Sequence, residues 1–152
     1  MQRVLILISL NPAIEMNVGF DVSAVTFSAN GEYLLTGGWG EVGVWRVEDG
    51  EQIATMAGRG VRCLAVSKDS RWIAAGSSEG VFVWNARTYG KVFSHRDSRD
   101  GTLGVDFSPD STRFVSASKN RTATVWDIAT RKRVLTLCVR YMRGYLVVIS
   151  FM

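Results

Sequence analysis

An all-β chain built from three copies of a four-stranded antiparallel unit is the fold class this sequence predicts. Three observations carry the prediction. Trp45, Trp84 and Trp126 recur at spacings of 39 and 42 residues, a period that marks a repeat architecture. Each tryptophan closes a short run rich in β-formers: Val42-Gly43-Val44-Trp45, Val81-Phe82-Val83-Trp84 and Ala123-Thr124-Val125-Trp126. No window of about 11 residues sustains an apolar pattern at the helical period.

The elements follow in the same order in every copy. An alternating run opens each one: Val25-Thr26-Phe27-Ser28, Leu64-Ala65-Val66-Ser67 and Val105-Asp106-Phe107-Ser108. The polar turns Asn30-Gly31, Asp69-Ser70 and Pro109-Asp110-Ser111 come next, with residues that bond their own backbone or tolerate positive φ. A second run follows, Tyr33-Leu34-Leu35-Thr36, Trp72-Ile73-Ala74-Ala75 and Arg113-Phe114-Val115-Ser116. After a turn rich in Gly or Ser, the tryptophan run is third. A fourth run ends the unit, Gln52-Ile53-Ala54-Thr55, Lys91-Val92-Phe93 and Arg133-Val134-Leu135-Thr136. Copies one and two align at a constant offset of 39, and the third has one extra residue near Arg121. Short β-branched and aromatic runs bounded by turn residues read as antiparallel strands. A unit of about 40 residues is marginal alone, so its two sheet faces require neighbouring copies stacked around an axis.

These residues resemble the WD40 repeat family of β-propellers over roughly residues 22–137. The third copy matches best, through Phe107-Ser108-Pro109-Asp110-Ser111, Ser116-Ala117-Ser118 and Thr124-Val125-Trp126-Asp127. The other copies carry Trp45-Arg46 and Trp84-Asn85 where the third has Trp-Asp. The resemblance implies a hydrogen-bonded tetrad of His, Ser or Thr, Asp and Trp. Copy three offers His95, Ser116 and Trp126, with Asn120 at the Asp place and His95 displaced by the inserted stretch 96–100. Copy one keeps Thr36 and Trp45, with Gly40 in the turn; copy two keeps Trp84, with Ala75 and Glu79 at the other places. Each indole N–H requires an acceptor, which Thr36 and Ser116 can supply, whereas Trp84 must find a backbone carbonyl or water.

One WD40-repeat domain spanning 1–152 is expected, with a partial N-terminal strand region at 1–18, repeats at 19–57, 58–94 and 95–137, and an incomplete fourth repeat at 138–152. Closed propellers have about 4–8 blades, so three copies predict an unclosed ring with two uncovered blade faces, and a fragment of a longer propeller. Val4-Leu5-Ile6-Leu7-Ile8-Ser9-Leu10 is too short to span a bilayer and lacks a small-residue cleavage site, so it reads as an outer strand of a neighbouring blade. Tyr145-Leu146-Val147-Val148-Ile149-Ser150-Phe151 falls where a fourth copy would begin.

The net charge of +4 is uneven, −4 over residues 1–50, +3 over 51–100 and +5 over 101–152. A basic half can face nucleic acid or acidic partners, but Arg131-Lys132-Arg133 sits in an expected turn, and nucleic acid is not the expected partner. The two cysteines, Cys63 and Cys138, form no disulfide framework, which suits a reducing compartment, cytoplasmic or nuclear. Cys63 aligns with Ala24 and Gly104, so it reads as a packing residue. Asn120-Arg121-Thr122 would be a glycosylation sequon only in a secreted protein.

No cofactor, metal or catalytic site is expected. Gly38-Trp39-Gly40-Glu41-Val42-Gly43 fits a dinucleotide spacing, yet that motif must open a helix and here it precedes a strand. One histidine and two cysteines make no convincing zinc site. A triad would have to use His95 with Asp97, Asp100 or Asp106, and His95 is better placed capping a blade or in a loop. The pair Glu48-Asp49 lies in a polar turn, where carboxylates are solvated.

Binding is the better-supported class, because rigid strands hold turns at a common rim. By resemblance, the partner-binding face is formed by the turns between second and third strands and by the loops before the first strand. That selects Trp39 and Glu41, Ser78 and Glu79, Lys119 and Arg121, joined by Arg59, Arg62, Arg96 and Arg99 from the loops. Trp and Arg dominate interface energetics. The expected role is a non-catalytic protein-interaction scaffold with an unspecified protein partner and self-association through open blade faces. Alternatives are the sensor portion of a larger signalling protein, a basic nucleic-acid-contacting propeller, and a truncated product without independent function.

Overall fold

The computed structural model describes residues 4–5, 15–96 and 101–138. Among them every regular element is a strand. The strands β1 (Val4–Leu5) and β2 (Glu15–Met16) form a short antiparallel ladder. Three meandering sheets follow. The first contains β3 (Val22–Phe27), β4 (Tyr33–Gly38), β5 (Val42–Arg46) and β6 (Gln52–Met56). The second contains β7 (Val61–Val66), β8 (Trp72–Ser77), β9 (Gly80–Asn85) and β10 (Lys91–His95). The third contains β11 (Thr102–Phe107), β12 (Arg113–Ser118), β13 (Thr122–Asp127) and β14 (Lys132–Cys138). Among the described residues the three sheets do not close into a ring. The remaining residues before 15 and the expected fourth copy beyond 138 lie outside the described residues.

One turn chemistry, used three times, links the first two strands of each sheet. The hydroxyls of Ser28, Ser67 and Ser108 donate to Asn30, Asp69 and Asp110 Oδ1, each at 2.6 Å. The same hydroxyls accept the backbone N–H of Tyr33, Trp72 and Arg113 at 3.0, 2.9 and 3.0 Å. The turn also requires a left-handed residue, and Gly31, Ser70 and Ser111 take it with φ of 74°, 58° and 58°. Hydrogen bonds from Ser108 and from the Thr112 backbone and hydroxyl hold the Asp110 carboxyl down to about 2.

The residue after each tryptophan has a comparable local use. Asp127 accepts from the Thr130 N–H and hydroxyl, both at 2.8 Å. Asn85 accepts from the Arg87 and Thr88 N–H groups at 2.9 and 3.0 Å. Arg46 lacks an acceptor and instead pairs with Asp49 and Glu51 at 2.6 and 2.8 Å. The aspartate of a Trp-Asp pair is thus a turn cap, and asparagine serves equally well.

Stacking buries the faces between sheets. Strand β7 lies against β3 and β4, and β11 lies against β7, β8 and β9. Gly37 and Gly76 permit the approach: a Cβ on Gly37 would stand 2.6 Å from Val61 Cγ1, and one on Gly76 would stand 2.7 Å from Thr102 Cγ2. The Ser23 hydroxyl adds a bond across the first junction to the Val61 carbonyl. Leu35, Val44, Val61, Ile73 and Trp84 fill the first junction, and Ala74, Val83, Phe107, Phe114 and Trp126 fill the second. Strand residues alternate faces, so Leu34 and Trp45 point the other way, into a separate cluster with Val18 and Phe20. On the first sheet Val25 and Phe27 remain 54% and 48% exposed, and on β14 both Leu135 and Leu137 remain 48% exposed.

Candidate functional site: a shared rim of turns

Antiparallel pairing places the β4–β5, β8–β9 and β12–β13 turns at the same end as the starts of β3, β7 and β11. The loops before β7 and β11 are tied to these turns: the Ser78 N–H donates to the Gly60 carbonyl at 3.0 Å, and the Lys119 N–H donates to the Gly101 carbonyl at 3.2 Å. Both glycines have positive φ, 61° and 72°. Side chains would be strained there. Ser77 and Ser118 lock the same corner from beneath, accepting from the Glu79 N–H at 3.0 Å and donating to the Gly101 carbonyl at 3.0 Å.

The structure therefore gathers the expected rim residues at one end. Trp39, Glu41, Arg59, Arg62, Glu79, Arg96, Lys119 and Arg121 are exposed there, with Ser78 half-buried. The Trp39 indole is 75% exposed, so it does not cover the turn glycines; Gly40 is instead approached by the Phe20 ring. Arg96 reaches Glu79 at 3.9 Å, a long, solvated pair. Arg121 carries the extra residue of copy three, accommodated at φ 70° with its N–H bonded to Ser118. Arg99 lies outside the described residues.

Beneath the rim, the tryptophans are anchored unequally. Trp45 Nε1 donates to Thr36 Oγ1 at 2.9 Å, and Trp126 Nε1 donates to Ser116 Oγ at 2.9 Å. Gly43 leaves room for the first of these, since a Cβ there would stand 2.6 Å from the Trp45 nitrogen. The His95 ring sits at the end of β10 with its centroid 4.6 Å from Trp126. Asn120 accepts from the Thr122 N–H at 3.0 Å, so its carbonyl oxygen serves the turn. Trp84 stacks on Phe82 at 5.8 Å, and among the described residues no acceptor bonds its indole.

The repeated sheet and its tryptophan anchors agree with comparison against known proteins. The model of the WD domain, G-beta repeat family matches residues 17–46, 50–85 and 89–127. The chain belongs to the WD40 repeat family. It is similar to WD repeat-containing protein 18 of Danio rerio, at 29% identity over 66% of this chain and 24% of that protein. It is also similar to WD repeat-containing protein 1 of Xenopus tropicalis, at 38% identity over 54% of this chain and 14% of that protein. Among solved structures, the RRP9 WD40 repeats superpose with a TM-score of 0.74 at 21% identity, over 80% of this chain and 39% of that one. U3-55K gives 0.72 at 21% identity over 80% and 40%. The chain thus spans a quarter or less of these two curated relatives. WD40 repeats generally serve as protein-interaction scaffolds and are generally non-catalytic.

Within this WD40 framework, one rim residue escapes a reading of motifs. Thr102 is completely buried, and among the described residues its hydroxyl has no hydrogen-bond partner. Val22 and Val61 hold the matching position in the other two inner strands. A polar residue at a place that is apolar in both sister copies is the signal that could have found it. The Cys63 thiol beside it is pushed up to about 11 by burial, which makes it an inert packing group at neutral pH.

Proposed function

We propose that this chain is a non-catalytic interaction module that holds a protein partner on the rim formed by Trp39, Glu41, Arg59, Arg62, Ser78, Glu79, Arg96, Lys119 and Arg121. The observation that carries the reading is the 75% exposed indole of Trp39, on the β4–β5 turn at the end of the sheets that also holds Arg59 and Arg62. Exposed tryptophan and arginine are the residue types that contribute most when an interface excludes water. The described rim carries more Arg and Lys than Glu, so the complementary partner surface is acidic. The reading includes an intracellular location, supported by Cys63 and Cys138 both being free thiols.

The test compares cross-linked partners of the wild-type chain with those of Trp39→Ala and of Arg62→Glu/Arg96→Glu in the same cells. Loss of a shared set of partners, with unfolding midpoints unchanged, is the expected result. Full retention of that set by both variants overturns the rim assignment. Material released by nuclease would replace the protein partner with nucleic acid.

A further inference from the structure

The end of the sheets opposite the rim carries a half-open groove of about 330 Å³ between the first and second sheets. Its origin is visible in the repeat itself. At the junction of the second and third sheets, Phe107, Phe114 and Ile128 pack together with Trp126. At the first junction the matching positions hold Val66, Ile73 and Ala86, all of which line the groove. Three smaller side chains in equivalent places leave a groove at the end of the first junction away from the rim. A half-open groove of this size, lined by residues of both sheets, is a candidate binding site.

The walls define what fits. Leu35 and Val44, both nearly fully buried, supply an apolar floor. Tyr33 and Tyr89 face the same space. Burial, with the Tyr33 phenol nearby, holds the Tyr89 hydroxyl above its ordinary range, so it stays a neutral donor at physiological pH. Arg87 is the one charged residue in the lining. Among the described residues no carboxylate is paired with it. Glu32, the nearby acid on the β3–β4 turn, is engaged by the Asn30 amide at 2.7 Å. The volume is at the small end of ligand pockets, about 300–1,000 Å³, which suits one large side chain rather than a dinucleotide.

We propose that this groove is a second docking site, specific for a peptide segment that inserts one branched aliphatic side chain and carries an acidic residue beside it. The aliphatic group takes the space that Phe107, Phe114 and Ile128 fill at the sister junction. The neighbouring carboxylate meets Arg87, with the Tyr89 hydroxyl available as a further donor. The site is separate from the rim, because its lining shares no residue with the rim and its Ser28, Asn30, Ser70, Ala86, Arg87 and Tyr89 come from the β3–β4, β7–β8 and β9–β10 turns at the other end of the strands.

The experiment is an NMR titration of the full chain with two blocked peptides, acetyl-Ser-Leu-Glu-Ser-amide and acetyl-Ser-Leu-Lys-Ser-amide. Saturable shifts centred on Tyr33, Ile73 and Tyr89 are expected for the glutamate peptide, with at least about fivefold weaker binding of the lysine peptide. Ala86→Ile, which copies Ile128, should abolish binding without lowering the unfolding midpoint. Arg87→Glu, an exposed change, should reverse the preference between the peptides even if Ala86→Ile folds poorly. Absence of saturable shifts, equal affinity for the two peptides, or undiminished binding by a folded Ala86→Ile overturns the proposal. Trp39→Ala should bind the glutamate peptide as the wild type does, so failure of the rim reading leaves this site standing.

Discussion

Phe82 stands directly across from Ala75 in the β8–β9 ladder, in the places that Gly43 and Thr36 occupy in the first sheet. The third sheet puts Thr124 across from Ser116. Where the second-strand residue carries a hydroxyl, the tryptophan donates to it and its cross-strand partner is Gly or Thr. Where the hydroxyl is missing, a phenyl ring fills the space and stacks on Trp84 at 5.8 Å with planes 29° apart. The two solutions exchange a hydrogen bond for aromatic contact, worth about 0.5–1.5 kcal/mol in either case.

This exchange predicts coupling. Phe82→Thr alone should destabilise by about 2–4 kcal/mol by leaving a cavity beside Trp84. Ala75→Ser alone adds a polar group beneath the ring. The double variant recreates the Ser116–Thr124 pair and should recover at least about 1 kcal/mol relative to the sum of the single changes. Denaturant unfolding of the four proteins measures the cycle, and strict additivity would contradict the exchange.

Trp126 is the centre of the second junction. It donates to Ser116 and contacts Phe93, His95 and Phe114 at centroid distances of 5.2, 4.6 and 6.1 Å. Trp126→Ala should therefore cost about 3–5 kcal/mol. Ser116→Ala keeps the packing but removes the acceptor, and should cost about 1–3 kcal/mol. An unfolding midpoint equal to wild type for Trp126→Ala would refute the assignment.

The left-handed turn positions separate strain from bonding. Ser70 and Ser111 share nearly the same φ, yet Ser111 Oγ accepts the Asp69 N–H across the junction at 3.3 Å. Ser70→Gly should relieve about 1 kcal/mol of backbone strain and raise the melting temperature. Ser111→Gly gains the same relief but loses the inter-sheet bond, so its net change should be smaller. Calorimetry on the two variants would reveal the difference in their order.

Cys63 makes stability fall at alkaline pH. Its thiol ionises near 9.0 when unfolded but is held protonated to about 11 in the fold by burial. The unfolded state then binds fewer protons above pH 9, so stability is fully present below that value and is lost as pH rises toward 11. The loss is at most about 3 kcal/mol. Cys63→Ala, which copies Ala24, should flatten this part of the profile. Iodoacetamide at pH 8 should label the exposed Cys138 well before Cys63.

Much of the fold was legible because it is local and repeated. The tryptophan spacing, the Ser-x-Asx turns and the two-residue alternation fix strand order and hairpin pairing from neighbours in the chain. That the β4–β5, β8–β9 and β12–β13 turns share one end follows from the same logic, since antiparallel strands return their alternate turns to one end, whereas the assignment of partner contacts to those turns rests on the family resemblance. Less legible was the work of individual residues. Asn85 caps its turn as Asp127 does, and Phe82 substitutes for a hydroxyl that the aligned sequence only shows as missing.

The sequence by itself determined that the chain is three four-stranded units, where each turn lies, and which indoles have a hydroxyl within reach. Those properties depend on backbone geometry and on spacing within one copy. The tertiary structure alone decided how copies meet: that Gly37 and Gly76 admit the next inner strand, that Thr102 buries a hydroxyl with no partner among the described residues, and that a groove lies at the end of the first junction away from the rim. These depend on side-chain volumes brought together from different copies. A difference of a few methylene groups between Ala86 and Ile128 is small in sequence, but Ala86 lines an open groove while Ile128 packs against a buried cluster.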